Sequence, residues 1–171
     1  TVGGAIYGNA GCYEKQFWDV VEAIRFFDNS NLKQITADPE FFHYRWSIFK
    51  YFPHYIIVYA KLKFEPKDSE MVKLETKRIR KLRYESQPTQ ASVGCIFKNP
   101  VNYSAGKLID LCGLKGLQVG QAMISHEHAN FFVNLGGARA SDFMKLIEVA
   151  KDRVFEKFGI ELKEEIILVG E

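Results

Sequence analysis

The C-terminal part of the chain contains an apolar pattern that strongly constrains its fold. Apolar residues recur every three or four positions, at Phe143, Ile147, Ala150, Val154 and Phe158. This spacing places them on one face of an α-helix. Ser141 can cap the start of the helix, and Gly159 can end it in the left-handed conformation. The pattern therefore predicts a long helix with one apolar face.

Strand and helix signals are mixed irregularly along the rest of the chain. Residues 20–28 and 32–36, separated by Asn29-Ser30-Asn31, predict a hairpin. The other predicted elements are strands at residues 55–64, 116–125, 130–134 and 166–169, a helical turn at 39–42, and helices at 71–85 and 105–112. The helix at 71–85 is rich in lysine and arginine, which favours a solvated face. We predict an α+β fold rather than a regular doubly wound sheet.

The size and composition of the chain allow one large or two small domains. It has 171 residues, of which 47% are apolar and 14% aromatic, enough to bury a core. A proline and several charges interrupt the pattern at residues 65–69, so we predict domains at 1–66 and 67–171. The chain opens at Thr1 on a glycine-rich stretch that is typical of the middle of a domain, so we expect further sequence before it.

Charge and cysteine content argue against several classes of protein. The net charge is +2, from 23 basic and 21 acidic residues without a one-sided excess, which disfavours nucleic-acid binding. No apolar run approaches the roughly 20 residues that cross a bilayer, and no signal-peptide pattern is present, so we expect a cytoplasmic protein without a membrane segment. Cys12, Cys95 and Cys112 match neither a zinc site nor a disulfide framework. We predict reduced thiols.

A titratable sulfur lies in the stretch Gly94-Cys95-Ile96-Phe97-Lys98-Asn99-Pro100, which we interpret as a turn. The Cys95 thiol could donate a proton or attack as a thiolate. The alternative, a small buried hydrophobic residue, is favoured for an isolated cysteine. The absence of a catalytic histidine motif argues against a cysteine hydrolase.

A cation and a carboxylate elsewhere in the chain could join this thiol. Arg45 lies between two aromatic residues, where stacking could present it to a carboxylate or phosphate. Alternatively, it covers aromatic surface or pairs with an acid. Glu164 and Glu165 precede the predicted strand at 166–169, so one of them is expected to point inward. Alternatively, both are solvated charges.

Two further patterns carry weaker functional signals. His126 and His128 would share a face in an extended segment, but no third metal ligand is evident, so we predict no metal site. The glycine-rich opening could cradle phosphates with backbone amides. It lacks the P-loop lysine pattern and the dinucleotide fingerprint.

Several motifs in order resemble the UDP-N-acetylenolpyruvoylglucosamine reductase family, the MurB-type flavoenzymes of peptidoglycan precursor synthesis. The motifs are Thr1-Val2-Gly3-Gly4-Ala5-Ile6-Tyr7-Gly8-Asn9-Ala10-Gly11, Tyr44-Arg45-Trp46-Ser47-Ile48-Phe49-Lys50, residues 94–100, Ala105-Gly106-Lys107-Leu108-Ile109-Asp110, Gly113-Leu114-Lys115-Gly116 and His128-Ala129-Asn130-Phe131. The resemblance covers essentially the whole chain. It implies that NADPH reduces FAD and that hydride then passes to UDP-N-acetylglucosamine enolpyruvate, giving UDP-N-acetylmuramate.

The same resemblance implies roles for individual residues. Arg45 and Glu165 would hold the enolate intermediate, and Cys95 would supply the proton from the position where the family usually has a serine. The implied FAD contacts are Gly3, Gly4, Ala5, Asn9 and Gly11. The implied substrate contacts are Arg83, Asn99, Lys115 and His128, with Lys115 suited to the diphosphate. The spacing between Arg45 and Arg83 resembles that of the subclass that lacks a substrate-covering loop.

The resemblance also implies a partial FAD-binding domain, followed by a small α+β substrate-binding domain whose last strand returns to the active site. The family's N-terminal flavin subdomain precedes the position of Thr1. We therefore expect this chain alone to bind FAD poorly or not at all. A non-catalytic UDP-sugar-binding module is the alternative function, and a flavoenzyme of the same superfamily with another substrate is a further one.

Overall fold

The structure is a computed structural model that describes residues 1–170. Its helices are α1 (Val2–Gly8), α2 (Ser69–Ser86), α3 (Ala105–Leu111) and α4 (Ala140–Phe158). Its strands are β1 (Gly11–Cys12), β2 (Lys15–Gln16), β3 (Val21–Phe27), β4 (Leu32–Thr36), β5 (Phe42–His43), β6 (Trp46–Ser47), β7 (Ile56–Leu62), β8 (Ser92–Cys95), β9 (Gln118–Val119), β10 (Ala122–Ile124) and β11 (Phe131–Asn134). This mixture confirms the predicted α+β class. The chain divides into two compact units, Thr1–Lys67 and Asp68–Glu171.

The first unit is built on an antiparallel sheet with the strand order β4-β3-β7. The predicted hairpin is confirmed, because β3 and β4 pair from Phe27 opposite Leu32 to Ala23 opposite Thr36. In its turn, the Asp28 carboxylate accepts hydrogen bonds from the backbone N–H groups of Ser30 and Asn31. The buried core of this unit is Ile6, Trp18, Val21, Ile24, Phe26 and Phe49.

The glycine-rich opening of the first unit forms the short helix α1. The Thr1 hydroxyl accepts a hydrogen bond from the Gly4 N–H, and Asn9 ends the helix in the left-handed conformation, with φ of 44°. Two small hairpins, β1-β2 and β5-β6, complete the unit. The predicted helical turn at 39–42 is confirmed as a 3₁₀ turn, Pro39–Phe41.

The second unit contains an antiparallel sheet in the order β8-β11-β10-β9. The predicted long helix is confirmed as α4, whose Leu146, Ile147, Ala150 and Val154 are buried. Gly159 ends α4 with φ of 66°, as expected. Ser141 does not cap it, because the cap position is Arg139, two residues earlier, whose N–H donates a hydrogen bond to the Asp142 carboxylate at 3.0 Å.

The second unit departs from the predicted strands in two places. Residues 116–125 form two strands, β9 and β10, because the chain turns at Gly120, whose φ is 56° and whose position against Asp142 leaves no room for a Cβ atom. The predicted strand at 166–169 is not formed. The final pairing lies earlier, at a bridge between Phe97 and Glu164, and nothing among residues 1–170 pairs with 166–169 as a strand.

Helix α2 is almost entirely exposed to solvent. Asp68 caps its start by accepting hydrogen bonds from the N–H groups of Glu70 and Met71. Its apolar side chains do not enter a core: Met71 is 68% exposed and Leu74 66%. The prediction that this helix has a solvated face is therefore confirmed.

Candidate functional site

The predicted turn around Cys95 is instead a strand with a bulge. Cys95 lies opposite Phe131 of β11, whereas Ser92 lies opposite Val133, so β8 contains one extra residue. Gly94 accommodates this bulge with φ of 87°, a conformation that favours glycine. The bulge precedes Cys95, which is partly buried at the end of β8.

The buried side chain of Asn130 fixes the segment that follows Cys95. Its Oδ1 accepts a hydrogen bond from the Phe97 N–H at 2.9 Å, and its Nδ2 donates to the Phe97 carbonyl at 2.8 Å. The Ile96 N–H also donates to the Asn130 carbonyl at 2.8 Å. The loop at residues 125–130 is therefore held directly beside the cysteine-bearing strand.

The C-terminal segment pairs with the other side of the same stretch. The Lys98 N–H donates to the Lys163 carbonyl, and the Glu165 N–H donates to the Ile96 carbonyl, both at 2.8 Å. Glu165 thus lies beside Ile96, the residue that follows Cys95. The backbone pairing therefore places Glu165 beside the segment that follows Cys95.

The two neighbouring glutamates have different surroundings, although neither is fully buried. Glu164 accepts a hydrogen bond from the Lys151 Nζ at 2.8 Å, and this bond lowers the pKa of Glu164. Glu165 lines an apolar groove of about 540 Å³ with side chains that include Val93 and Phe143. Glu165 therefore places a carboxylate at the edge of an apolar surface.

A separate polar pocket of about 200 Å³ contains two of the predicted substrate contacts, Lys115 and His128. Its lining residues are Ser104, Gly106, Lys107, Asp110, Lys115, Glu127, His128 and Ala129. The Lys115 Nζ lies 3.0 Å from the Asp110 Oδ2. The pocket therefore combines lysines with carboxylates.

The buried hydroxyl of Ser125 organises one wall of this pocket. It donates to the Glu127 Oε2 at 2.6 Å and accepts from the N–H groups of Glu127 at 3.1 Å and His128 at 3.3 Å. The hydroxyl's proton and both lone pairs are thereby used. The hydrogen bond from Ser125 also lowers the pKa of Glu127, which keeps its carboxylate ionised.

His128 is held as a neutral imidazole in this wall. Burial lowers its pKa, and its Nδ1 accepts a hydrogen bond from the Asn130 N–H at 3.2 Å, so the neutral ring carries its proton on Nε2. The ring packs on Gly106, where a Cβ atom would lie 3.0 Å from Cε1. His126 instead packs on Gly116, because the segment bends, so the prediction that the two histidines share a face is wrong.

The remaining predicted substrate contacts of the second unit lie outside the lining of this pocket. The Asn99 Oδ1 accepts a hydrogen bond from the Ala105 N–H at 3.0 Å, at the start of α3. Arg83 lies on the exposed helix α2, and its Nε donates to the Gln87 Oε1 at 3.3 Å.

Among residues 1–170, no group of three or more histidine, cysteine or acidic side chains could hold a metal ion. No helix in this range is long and apolar enough to span a membrane.

Comparisons with known proteins show what this chain is similar to. Residues 87–169 match the model of the "UDP-N-acetylenolpyruvoylglucosamine reductase, C-terminal domain". The whole chain is 37% identical to the UDP-N-acetylenolpyruvoylglucosamine reductase of Rubrobacter xylanophilus and 40% identical to that of Caldanaerobacter subterraneus subsp. tengcongensis. The chain is therefore similar to UDP-N-acetylenolpyruvoylglucosamine reductases along its whole length, and to their C-terminal domain over residues 87–169. It spans 58% and 57% of the lengths of these two relatives.

A solved structure is similar to this chain as well. The crystal structure of the reductase from Thermus caldophilus, named MurB, is 40% identical to this chain and superposes with a TM-score of 0.81. The match covers 95% of this chain and 58% of that one. The resemblance indicated by the sequence motifs is therefore confirmed.

In the first unit, the residue that the family resemblance makes catalytic occupies an unusual backbone position. Arg45 lies in the β5-β6 turn with φ of 54°, which is uncommon for a residue with a side chain. Its Nη2 donates to the Gly11 carbonyl at 2.8 Å, and its guanidinium stacks on Tyr44, with Cζ 5.2 Å from the ring centroid. Trp46, the other aromatic neighbour, stacks on His43.

The predicted cofactor contacts of the family have mixed surroundings in the first unit. Gly3, Gly4 and Ala5 lie in α1, where a Cβ at Gly3 would come no nearer than 3.8 Å to its neighbours. Asn9 is fully buried, and its side chain bonds to Gln16, the His43 carbonyl and the Trp18 N–H. Gly11 is needed by the hairpin, since its Cβ would lie 2.6 Å from the Lys15 carbonyl. Asn9 and Gly11 therefore both stabilise the fold, and their contact with a cofactor stays a prediction.

Sequence reasoning missed the residues that build the site of the second unit. Asn130 and Ser125 are buried polar residues whose roles depend on the pairing of β8 with β11. Asp110 and Glu127 were missed as pocket residues. The only sequence signal for Glu127 was its place between His126 and His128.

Proposed function

We propose that this chain takes part in the NADPH-dependent, FAD-mediated reduction of UDP-N-acetylglucosamine enolpyruvate to UDP-N-acetylmuramate in the cytoplasm, a step of peptidoglycan precursor synthesis. The second unit binds the nucleotide sugar, and the first unit contributes part of the flavin site. The relatives' names and the order of the motifs support this reaction.

The observation that carries the proposal is the double pairing around Phe97. On one side, Asn130 ties this stretch to the loop that holds His128, and on the other, Glu165 pairs with Ile96. Proton donor, carboxylate and substrate loop are thus fixed to one backbone segment. Such preorganisation favours a reaction that develops charge and then needs a proton.

Each residue has a chemical task in the proposed reaction. The Lys115 ammonium binds the diphosphate, while neutral His128, with its Nε2 proton, and Asn99 donate hydrogen bonds to the substrate. The Cys95 thiol gives a proton from Sγ to the substrate carbon beside the carboxylate. Arg45 stabilises the negative charge that hydride addition places on that carboxylate, and Glu165 orients the substrate during this step.

The helix α1 fits a flavin cofactor at its exposed backbone. FAD supplies hydride transfer when it is bound. Glycine destabilises a helix by about 1 kcal/mol relative to alanine, yet nothing within 4 Å requires it at Gly8, and only the Thr1 hydroxyl approaches a Cβ at Gly4. Close approach of a cofactor to the backbone accounts for these glycines.

The proposal is tested by titrating the 171-residue chain with FAD and following flavin fluorescence. UDP-N-acetylglucosamine enolpyruvate and NADPH are then added, and NADPH consumption is measured. Turnover that is lost in Arg45→Ala and retained in the matched variant Arg25→Ala establishes the reductase. Retention of the nucleotide sugar without flavin binding or turnover identifies either the substrate-binding part of a reductase or a UDP-sugar-binding module descended from one. Failure to bind either ligand overturns the proposal.

A further inference from the structure

The polar pocket beside Lys115 has two chemically different sides. The ammonium groups of Lys107 and Lys115 can bind an anion, whereas the carboxylates of Asp110 and Glu127 can only accept hydrogen bonds. The four charges cancel, so the pocket is not suited to a bare polyanion. A ligand that satisfies both sides carries phosphate and hydroxyl groups in one molecule.

The two carboxylates are not equivalent in this pocket. Asp110 forms an ion pair with Lys115 at 3.0 Å, and this pair positions the Lys115 ammonium. Glu127 is held through one oxygen only, because Ser125 donates to its Oε2 at 2.6 Å. Its Oε1 has no hydrogen-bond partner among residues 1–170. Glu127 therefore presents a fixed acceptor to a ligand.

The group that holds the Glu127 carboxylate in place is buried in the fold. Ser125 is fully buried, and its hydroxyl is saturated by Glu127 and by the N–H of His128. The hydrogen bond from Ser125 and the nearby charge of Lys115 both favour the ionised form of Glu127. A preorganised, ionised acceptor loses little conformational entropy when it binds a hydroxyl.

We propose that Glu127 is a specificity-determining residue that accepts a hydrogen bond from a sugar hydroxyl of a nucleotide sugar. It selects a sugar-linked diphosphate over inorganic pyrophosphate, because it attracts the hydroxyl and repels additional negative charge. This inference rests on the proposed binding of a UDP-sugar at the same pocket. The hydroxyl belongs either to the ribose or to the hexose.

The test measures the dissociation constants of UDP-N-acetylglucosamine, UDP and pyrophosphate by calorimetry with the full chain and its variants. In Glu127→Gln, we expect UDP-N-acetylglucosamine to bind about tenfold more weakly, because the charged acceptor is lost. Pyrophosphate should bind equally well or more tightly, because a repelling charge is removed. Weaker UDP binding assigns the hydroxyl to the ribose, and unchanged UDP binding assigns it to the hexose.

Asp110→Asn is the matched control, since it removes the other carboxylate of the pocket. It should shift the affinities for all three ligands in the same direction, because Asp110 acts through Lys115. Circular dichroism shows whether each variant is folded. Glu127→Ala should change the ratio of nucleotide-sugar affinity to pyrophosphate affinity in the same direction as Glu127→Gln. An unchanged ratio of nucleotide-sugar to pyrophosphate affinity in both Glu127 variants overturns this inference alone. Absence of nucleotide-sugar binding by the unsubstituted chain overturns it together with the proposed substrate.

Discussion

The side chain of Asn130 forms a two-bond bridge with the backbone of Phe97, accepting from its N–H at 2.9 Å and donating to its carbonyl at 2.8 Å. Asn130 is only 2% exposed, so water cannot replace either bond. This pair joins the loop at residues 125–130 to the segment that follows Cys95. Its integrity determines both the stability of the second unit and the geometry of the proposed site.

Replacement of Asn130 by Asp should therefore destabilise the protein. The carboxylate can still accept from Phe97, but it cannot donate to the Phe97 carbonyl, and it buries a charge. We expect a loss of about 2–4 kcal/mol in the free energy of unfolding, measured by urea denaturation. Gln121→Asn, at an exposed position, is the control and should change stability little. Equal stability of Asn130→Asp and the unsubstituted protein would show that the bridge contributes nothing.

The backbone of Arg45 provides a second prediction. Both Arg45→Gly and Arg45→Ala remove the guanidinium and its bond to Gly11, but only glycine adopts φ of 54° without steric cost. We expect the glycine variant to be more stable than the alanine variant by about 1 kcal/mol. Thermal and urea unfolding of the two variants measure this difference directly. A more stable alanine variant would contradict a left-handed backbone at this turn.

The turn between β3 and β4 should make stability depend on acidic pH. The side-chain bond from Lys33, followed by the backbone N–H groups of Asn31 and Ser30, lowers the pKa of Asp28 from 3.8 to about 2. A lowered pKa in the folded state means that the stabilisation is complete above pH 3.8 and is lost as the pH falls towards 2. Asp28→Asn should thus destabilise the protein at pH 7 and lose that effect near pH 2. Denaturation curves across this range measure the difference, and a constant difference would refute it.

Local patterns were sufficient to predict several elements of the fold. The apolar face of α4 and the terminating Gly159 predict this helix from residues that are close in sequence. The β3-β4 hairpin follows from its turn, where Asn29 adopts φ of 76°. The prediction of a strand at 166–169 is wrong, because apolar residues favour a strand but do not provide a neighbouring strand to pair with. The final pairing of the fold is instead a bridge at Glu164, beside the hydrogen bond from the Glu165 N–H to the carbonyl of Ile96, which is distant in sequence.

The candidate site was only partly predictable for the same reason. Motifs identified Lys115 and His128, which line one pocket. The bulge at Gly94 depends on where β11 pairs with β8, and the roles of Ser125 and Asn130 depend on the loop that this pairing positions. Such long-range hydrogen bonds leave no periodicity in a single sequence.

The last prediction concerns Cys95, which we propose as the proton donor of the reduction. A thiol is more acidic than a hydroxyl, and a thiolate cannot donate, so the rate of the unsubstituted enzyme should fall at alkaline pH. Cys95→Ser should retain activity further into the alkaline range, since a serine hydroxyl stays protonated. The measurement is a pH–rate profile of kcat in the presence of FAD. Cys112→Ser is the matched control, because the Cys112 Sγ contacts the Arg153 carbonyl on α4, and its profile should follow that of the unsubstituted enzyme. Superimposable profiles for Cys95→Ser and the unsubstituted enzyme would remove Cys95 from the proton-transfer step.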